Sequence, residues 1–130
     1  MNTLYLDAFA GISGDMVLGA LLDLGVPLET YRSVASRLGL GEVEITASRT
    51  ERKSIGAAKV QVRAAERGVV RTYAHIKSLI EESPLSHAVK EKSQRIFALI
   101  AKAESRIHSR SIDQVHFHEL GSADTLVDVV

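Results

Sequence analysis

Cysteine is absent from this 130-residue chain, which excludes disulfide frameworks and thiolate metal sites alike. A metal held by its side chains would rest on histidine and carboxylate, donors suited to nickel, zinc, manganese or magnesium. An excess charge of either sign is also missing, because 16 basic and 16 acidic residues balance and are interspersed. That balance gives no electrostatic footprint for a nucleic acid or a membrane surface. Nor is there a long unbroken apolar run. The apolar N-terminal segment lacks a basic lead-in, is interrupted by Asp7 and Asp15, and is too broken by glycine to span a bilayer. A soluble cytoplasmic chain is expected, with no internal repeat and no low-complexity segment.

What is present reads as an alternation of short strands and amphipathic helices. Thr3-Leu4-Tyr5-Leu6 suits a buried strand, and Asp7 to Asp15 forms a small-residue loop after it. A helix follows, with Ser13 as N-cap, Asp15 in its first turn, Val17, Leu18, Leu21 and Leu22 inward, and Gly25 as its stop. Gly19 inside this helix costs stability, so close packing is expected there. A second helix runs from Pro27 to about Leu38, with Leu28, Tyr31, Val34 and Leu38 on one stripe. Val43, Ile45 and Ala47, then Val60, Val62 and Ala64, alternate with polar residues. They predict two half-buried strands joined by a polar loop from Arg49 to Ser54.

Two further helices are expected, one around Thr72 to Glu82 and one from about Leu85 to Ile107. The longer one keeps a helical period through Leu85, Val89, Ile96, Ile100, Ala103 and Ile107. The fold class is therefore α/β, a mixed sheet packed with helices in the approximate order β-α-α-β-β-α-α-β-α. The length fits one domain spanning 1–130. Leu126-Val127-Asp128-Val129-Val130 is an apolar helical run with no capping glycine or basic last turn. The expectation is an N-terminal domain of a longer protein.

Candidate chemistry concentrates in Gln114-Val115-His116-Phe117-His118-Glu119-Leu120-Gly121-Ser122-Ala123-Asp124 and the following Asp128. On a strand, residues two apart share a face, so His116 and His118 would point the same way, their Cα atoms roughly 6.5–7 Å apart. From that span two imidazoles can converge on one cation, while Val115 and Phe117 face the other side. Gly121 permits a sharp turn, and Ser122 can cap a helix carrying Asp124 and Asp128 on one face. The same residues also fit histidines that simply hydrogen-bond carboxylates at a strand end. Arg49, Arg52 and Lys53 read as a solvated turn, and His75, His87 and His108 as surface or structural residues.

Two segments, taken together, resemble the signature stretches of the LarC family. They are Leu6-Asp7-Ala8-Phe9-Ala10-Gly11-Ile12-Ser13-Gly14-Asp15-Met16 and Val115 to Asp124 with Val127-Asp128-Val129. The helical text Ile100 to His108 is similar to the same family. The resemblance covers nearly the whole chain but only the N-terminal portion of the family protein. Where some members carry a histidine-rich insertion, this chain reads Ala65-Glu66-Arg67-Gly68-Val69-Val70-Arg71-Thr72, without histidine.

The resemblance implies a nickel insertion protein, a CTP-dependent cyclometallase. Such an enzyme places Ni(II) into pyridinium-3,5-bisthiocarboxylic acid mononucleotide to make the nickel-pincer cofactor of lactate racemase. CTP and an assisting divalent cation, magnesium or manganese, are expected in the full-length protein, with the CTP site outside this stretch. On that reading His116, His118, Asp7, Asp15 and Asp124 are metal-ligand candidates. His118 and Glu119 are candidates for the base that removes the ring proton as the nickel–carbon bond forms. Gly11, Ser13 and Gly14 could present backbone N–H groups to the nucleotide phosphate. Partners are then the pyridinium mononucleotide, the missing C-terminal domain and, for the finished cofactor, lactate racemase. The alternatives are a metal-dependent hydrolase or phosphoesterase, in which His and Asp ligands activate water, and a non-catalytic metal-binding module.

Overall fold

The computed structural model describes residues 3–65, 69–117 and 121–130. The first helix, α1 (Gly14–Asp23), is followed by α2 (Leu28–Arg37) and by a hairpin of β1 (Val43–Arg52) and β2 (Ile55–Ala64). The hairpin is antiparallel throughout, from Val43 opposite Ala64 to Arg52 opposite Ile55. Its strands run on through Arg49–Arg52, where the sequence suggested a loop. The turn can be so tight because Lys53 and Ser54 both take positive φ, 50° and 63°, which matches the right-handed twist of the strands.

Helix α1 lies across this hairpin. Gly19 is the contact, as its cost in the helix led one to expect: a Cβ there would stand 2.5 Å from the Ala58 carbonyl oxygen. Asp23 fastens the other end, accepting a hydrogen bond from Ala58 N at 2.8 Å and pairing with Arg49. Helix α2 is tied to the same layer by two main-chain contacts. Tyr31 donates its hydroxyl to Leu18 O at 3.0 Å, and Arg32 donates to Ile45 O.

A second layer begins with β3 (Arg71–Thr72), then α3 (Tyr73–Glu82) and the long α4 (His87–His108). A 3-10 turn over Ile112–Gln114 leads into β4 (His116–Phe117), and α5 (Ala123–Val129) closes the described chain. Strand β4 pairs antiparallel with β3, Arg71 opposite Phe117 and Thr72 opposite His116. Helices α3 and α4 start on side-chain caps from Thr72 and Ser86.

The α/β class and the succession of elements from α1 onward follow the sequence pattern apart from the extra strand β3, and three further corrections join that at Arg49–Arg52. Thr3–Leu6, expected as a buried strand, forms none among the described residues and is exposed. Among the described residues, the strands make two separate two-stranded antiparallel sheets, not one mixed sheet. The third correction concerns α4, whose buried stripe is Ser93, Phe97 and Ala101, with Ile96, Ala103 and Ile107 exposed. The helix is turned by one residue, about 100°, because Phe97 packs on Phe117, ring centroids 6.3 Å apart. Ser93 tolerates that interior position by donating its hydroxyl to Val89 O at 2.9 Å.

Candidate functional site

The N-terminus of α1 meets the last turn of α5, where Gly14 lies against Asp128, and both helices start on the same three-residue device. At α1, Ser13 donates to the Asp15 carboxylate, which also accepts from Met16 N at 3.0 Å. At α5, Ser122 donates to Asp124, which accepts from Thr125 N at 2.9 Å. A serine, a small residue and an aspartate thus start both helices, Ser13-Gly14-Asp15 and Ser122-Ala123-Asp124. Each carboxylate sits at the positive end of its own helix, where it is favoured.

Asp128, one turn further along α5, lies between them. It is half-buried, and its carboxyl is pushed up to about 6, first by burial, then by the charges of Asp124 and Asp15. Gly14 is what lets the two helices close on it, since a side chain there would overlap the Asp128 carboxyl group. Among the described residues, no basic group contributes to its electrostatics. The result is a concentration of negative charge that a divalent cation would relieve.

In front of α1 the chain carries Asp7, exposed, and a turn closed by Gly11 N donating to Ala8 O at 2.9 Å. Gly11 takes φ +88°, a conformation that glycine adopts without steric cost. On the α5 side, buried Arg71 donates to Gly121 O at 2.8 Å and fixes the residue before the cap.

Strand β4 shows the expected alternation, with Val115 and Phe117 buried and His116 exposed. His118 and Glu119 lie outside the described residues. Among the described residues, no group of three or more His, Asp or Glu side chains stands close enough to hold a metal ion. The structure therefore brings Asp15, Asp124 and Asp128 into electrostatic contact without making a preformed ligand cage from them, from Asp7 or from His116.

One residue read as surface or structural has a more specific place. His108, at the end of α4, pairs with Glu104 at 3.2 Å and lines a cavity of about 80 Å³ together with Arg110, Val115 and His116. Spacing alone could not find this pair. The chain reverses between them through a left-handed Ser109 and the 3-10 turn, held by Arg110 N donating to Ser105 O at 3.2 Å.

A family model described as nickel insertion protein matches residues 4–130. Three similar curated proteins each carry the name "Putative nickel insertion protein". That of Geobacter metallireducens is 48% identical over 132 aligned residues, which cover the whole chain and 34% of the relative. Those of Geobacter sulfurreducens and Syntrophotalea carbinolica are 46% and 45% identical, again across the whole chain, covering 34% and 33% of their lengths. The chain thus spans about a third of the length of the curated relatives it matches. No solved structure matches it.

Proposed function

Because the chain belongs to the nickel insertion protein family, we propose that it supplies the N-terminal part of the metal and substrate site of a nickel-inserting enzyme. The observation that carries this reading is the match over residues 4–130 falling on a chain in which the start of α1 packs on Asp128 of α5, within reach of the charges of Asp15 and Asp124. Nickel is here a substrate. Asp15, Asp124 and Asp128 give it an electrostatically favourable landing place, and the imidazoles of His116 and His118 give it the nitrogen donors that Ni(II) prefers. Asp7 is close in sequence to the same loop and serves as a further oxygen donor.

The reaction we assign is the CTP-dependent insertion of nickel into pyridinium-3,5-bisthiocarboxylic acid mononucleotide, yielding the nickel-pincer cofactor used by lactate racemase. Forming the nickel–carbon bond requires loss of the ring proton, and His118 or Glu119 takes it. Ser13 and Gly14 meet the nucleotide phosphate with their amides, whereas the Gly11 amide, also expected to do so, is taken by the turn to Ala8 O. Asp15 and Asp128 would repel that phosphate unless a cation lay between them, so nickel or another divalent ion binds first. CTP and its magnesium or manganese belong with the part of the family protein beyond this stretch. The chain acts as one domain of a longer cytoplasmic enzyme and does not turn over alone. No helix among the described residues is long and apolar enough to cross a membrane.

Equilibrium dialysis against nickel tests the proposal. Uptake is expected from the chain, and the double variant His116→Ala/His118→Ala should lose tight binding. Unchanged stoichiometry in that variant would sink the ligand assignment. Hydrolysis of phosphate esters by this chain with zinc or manganese would replace the reading with a hydrolase.

A further inference from the structure

The segment ahead of the site is apolar where it stands in solvent. Leu4, Tyr5 and Leu6 are consecutive, so a strand made from them would be apolar on both faces, and such strands belong between two covering layers. Here Tyr5 is 84% exposed and Phe9 91% exposed, and Leu4, Leu6, Ile12 and Met16 all stand about half or more in solvent. Among the described residues, the one backbone hydrogen bond made within residues 3–12 is the turn from Gly11 N to Ala8 O. An apolar patch of this density, on a stretch with strand-forming sequence and unpaired main chain, marks an interaction surface.

We propose that residues 3–9 are a docking strand for the further polypeptide that the family's longer members carry. That polypeptide would contribute a pairing strand edge and the apolar layer that covers Tyr5 and Phe9. The relatives matched across the whole of this chain are about three times its length, so they have the chain to do it. A segment tethered to the same molecule acts at an effective concentration in the mM range, which favours it over a second copy. Main-chain pairing would supply affinity and the apolar side chains register, as in strand addition generally. The segment runs directly into the Gly11–Asp15 loop, so docking would also fix one wall of the carboxylate site.

Hydrogen exchange tests this without reference to nickel. In the chain alone, the amides of Tyr5, Leu6 and Asp7 should exchange as in an unstructured peptide. In the full-length Geobacter metallireducens relative, the corresponding amides should be slowed by about 100-fold or more. Free exchange in the longer protein overturns the proposal. Protection in this chain alone also overturns it, in favour of a second copy if protection rises with concentration and of internal packing if it does not. As a second measurement, Tyr5→Asp/Phe9→Asp in this chain should leave the thermal midpoint unchanged, and a clear drop would show that both rings already have a partner within it.

Discussion

Gly14 lies against Asp128 so closely that a methyl group on Gly14 would overlap Cβ, Cγ and Oδ2 of that aspartate. This contact joins the start of α1 to α5 and puts Asp128 within reach of the charges of Asp15 and Asp124. Gly14→Ala should therefore destabilise the chain. Alanine in a helix is favoured over glycine by about 1 kcal/mol, but overpacking costs about 1–3 kcal/mol, so the expected sign is a net loss. Urea denaturation measures it. A stabilised variant would show that the helices part without cost.

Asp128 sets a pH dependence whose sign runs against the usual acid denaturation. Its folded carboxyl titrates at about 6, above the ordinary 3.8, so between those values the folded state holds more protons than the unfolded. Stability attributable to this group is highest below that window and falls as pH rises through it. Asp128→Asn should remove the slope and raise stability at pH 7 by about 1–2 kcal/mol, solvent screening at this half-buried site reducing the full effect. Asp23 works the other way. The hydrogen bond from Ala58 N and the pairing with Arg49 hold its carboxyl below the ordinary value, so its contribution is lost only as strong acid protonates it. Thermal midpoints of Asp128→Asn and Asp23→Asn, followed from acid pH to pH 8, separate the two.

The turned face of α4 gives a pair of opposite expectations. Phe97→Ala removes a ring that is fully buried against Phe117 and should cost about 3–5 kcal/mol. Ile107→Ser, at a residue that keeps the helical period but is 73% exposed, should change stability by less than about 0.5 kcal/mol. Equal losses at the two sites would restore the stripe read from periodicity.

That contrast shows what the sequence could and could not say. The hairpin and the close approach at Gly19 are local, and the alternation from Val43 to Ala64 and a glycine inside a helical pattern announced them. The side-chain caps come from Thr72 and Ser86, whereas Ser13, expected as a cap, bonds Asp15 instead. The facing of α4 is decided by a partner, Phe117, that lies 20 residues away in the chain, and apolar spacing cannot choose between two adjacent apolar rows. Thr3–Leu6 has the composition of a buried strand, yet its exposure depends on what surrounds it, which composition does not encode. At the site, Asp15 and Asp124 were legible as helix-start residues. The burial of Asp128 between them was not, because it depends on how α1 and α5 meet. The approach of His108 to His116 depends in the same way on a chain reversal that no periodicity reports.

The carboxylate cluster makes a prediction about coupling that does not depend on any metal. Asp124 and Asp15 both raise the Asp128 carboxyl, with burial the larger cause. Asp124→Asn and Asp15→Asn should each lower the Asp128 titration midpoint from about 6 toward the ordinary carboxylate range. Asp124→Asn should do so more, because its charge ranks ahead of that of Asp15. The double variant should leave Asp128 still raised, since burial persists when both charges are gone. Asp7→Asn should leave it unmoved, because Asp7 is not among the causes of the shift. Carbon-detected NMR titration of the side-chain carboxyls reads all four variants. An Asp128 midpoint insensitive to both neighbours would uncouple it from Asp15 and Asp124 and remove the electrostatic case for a cation among the three.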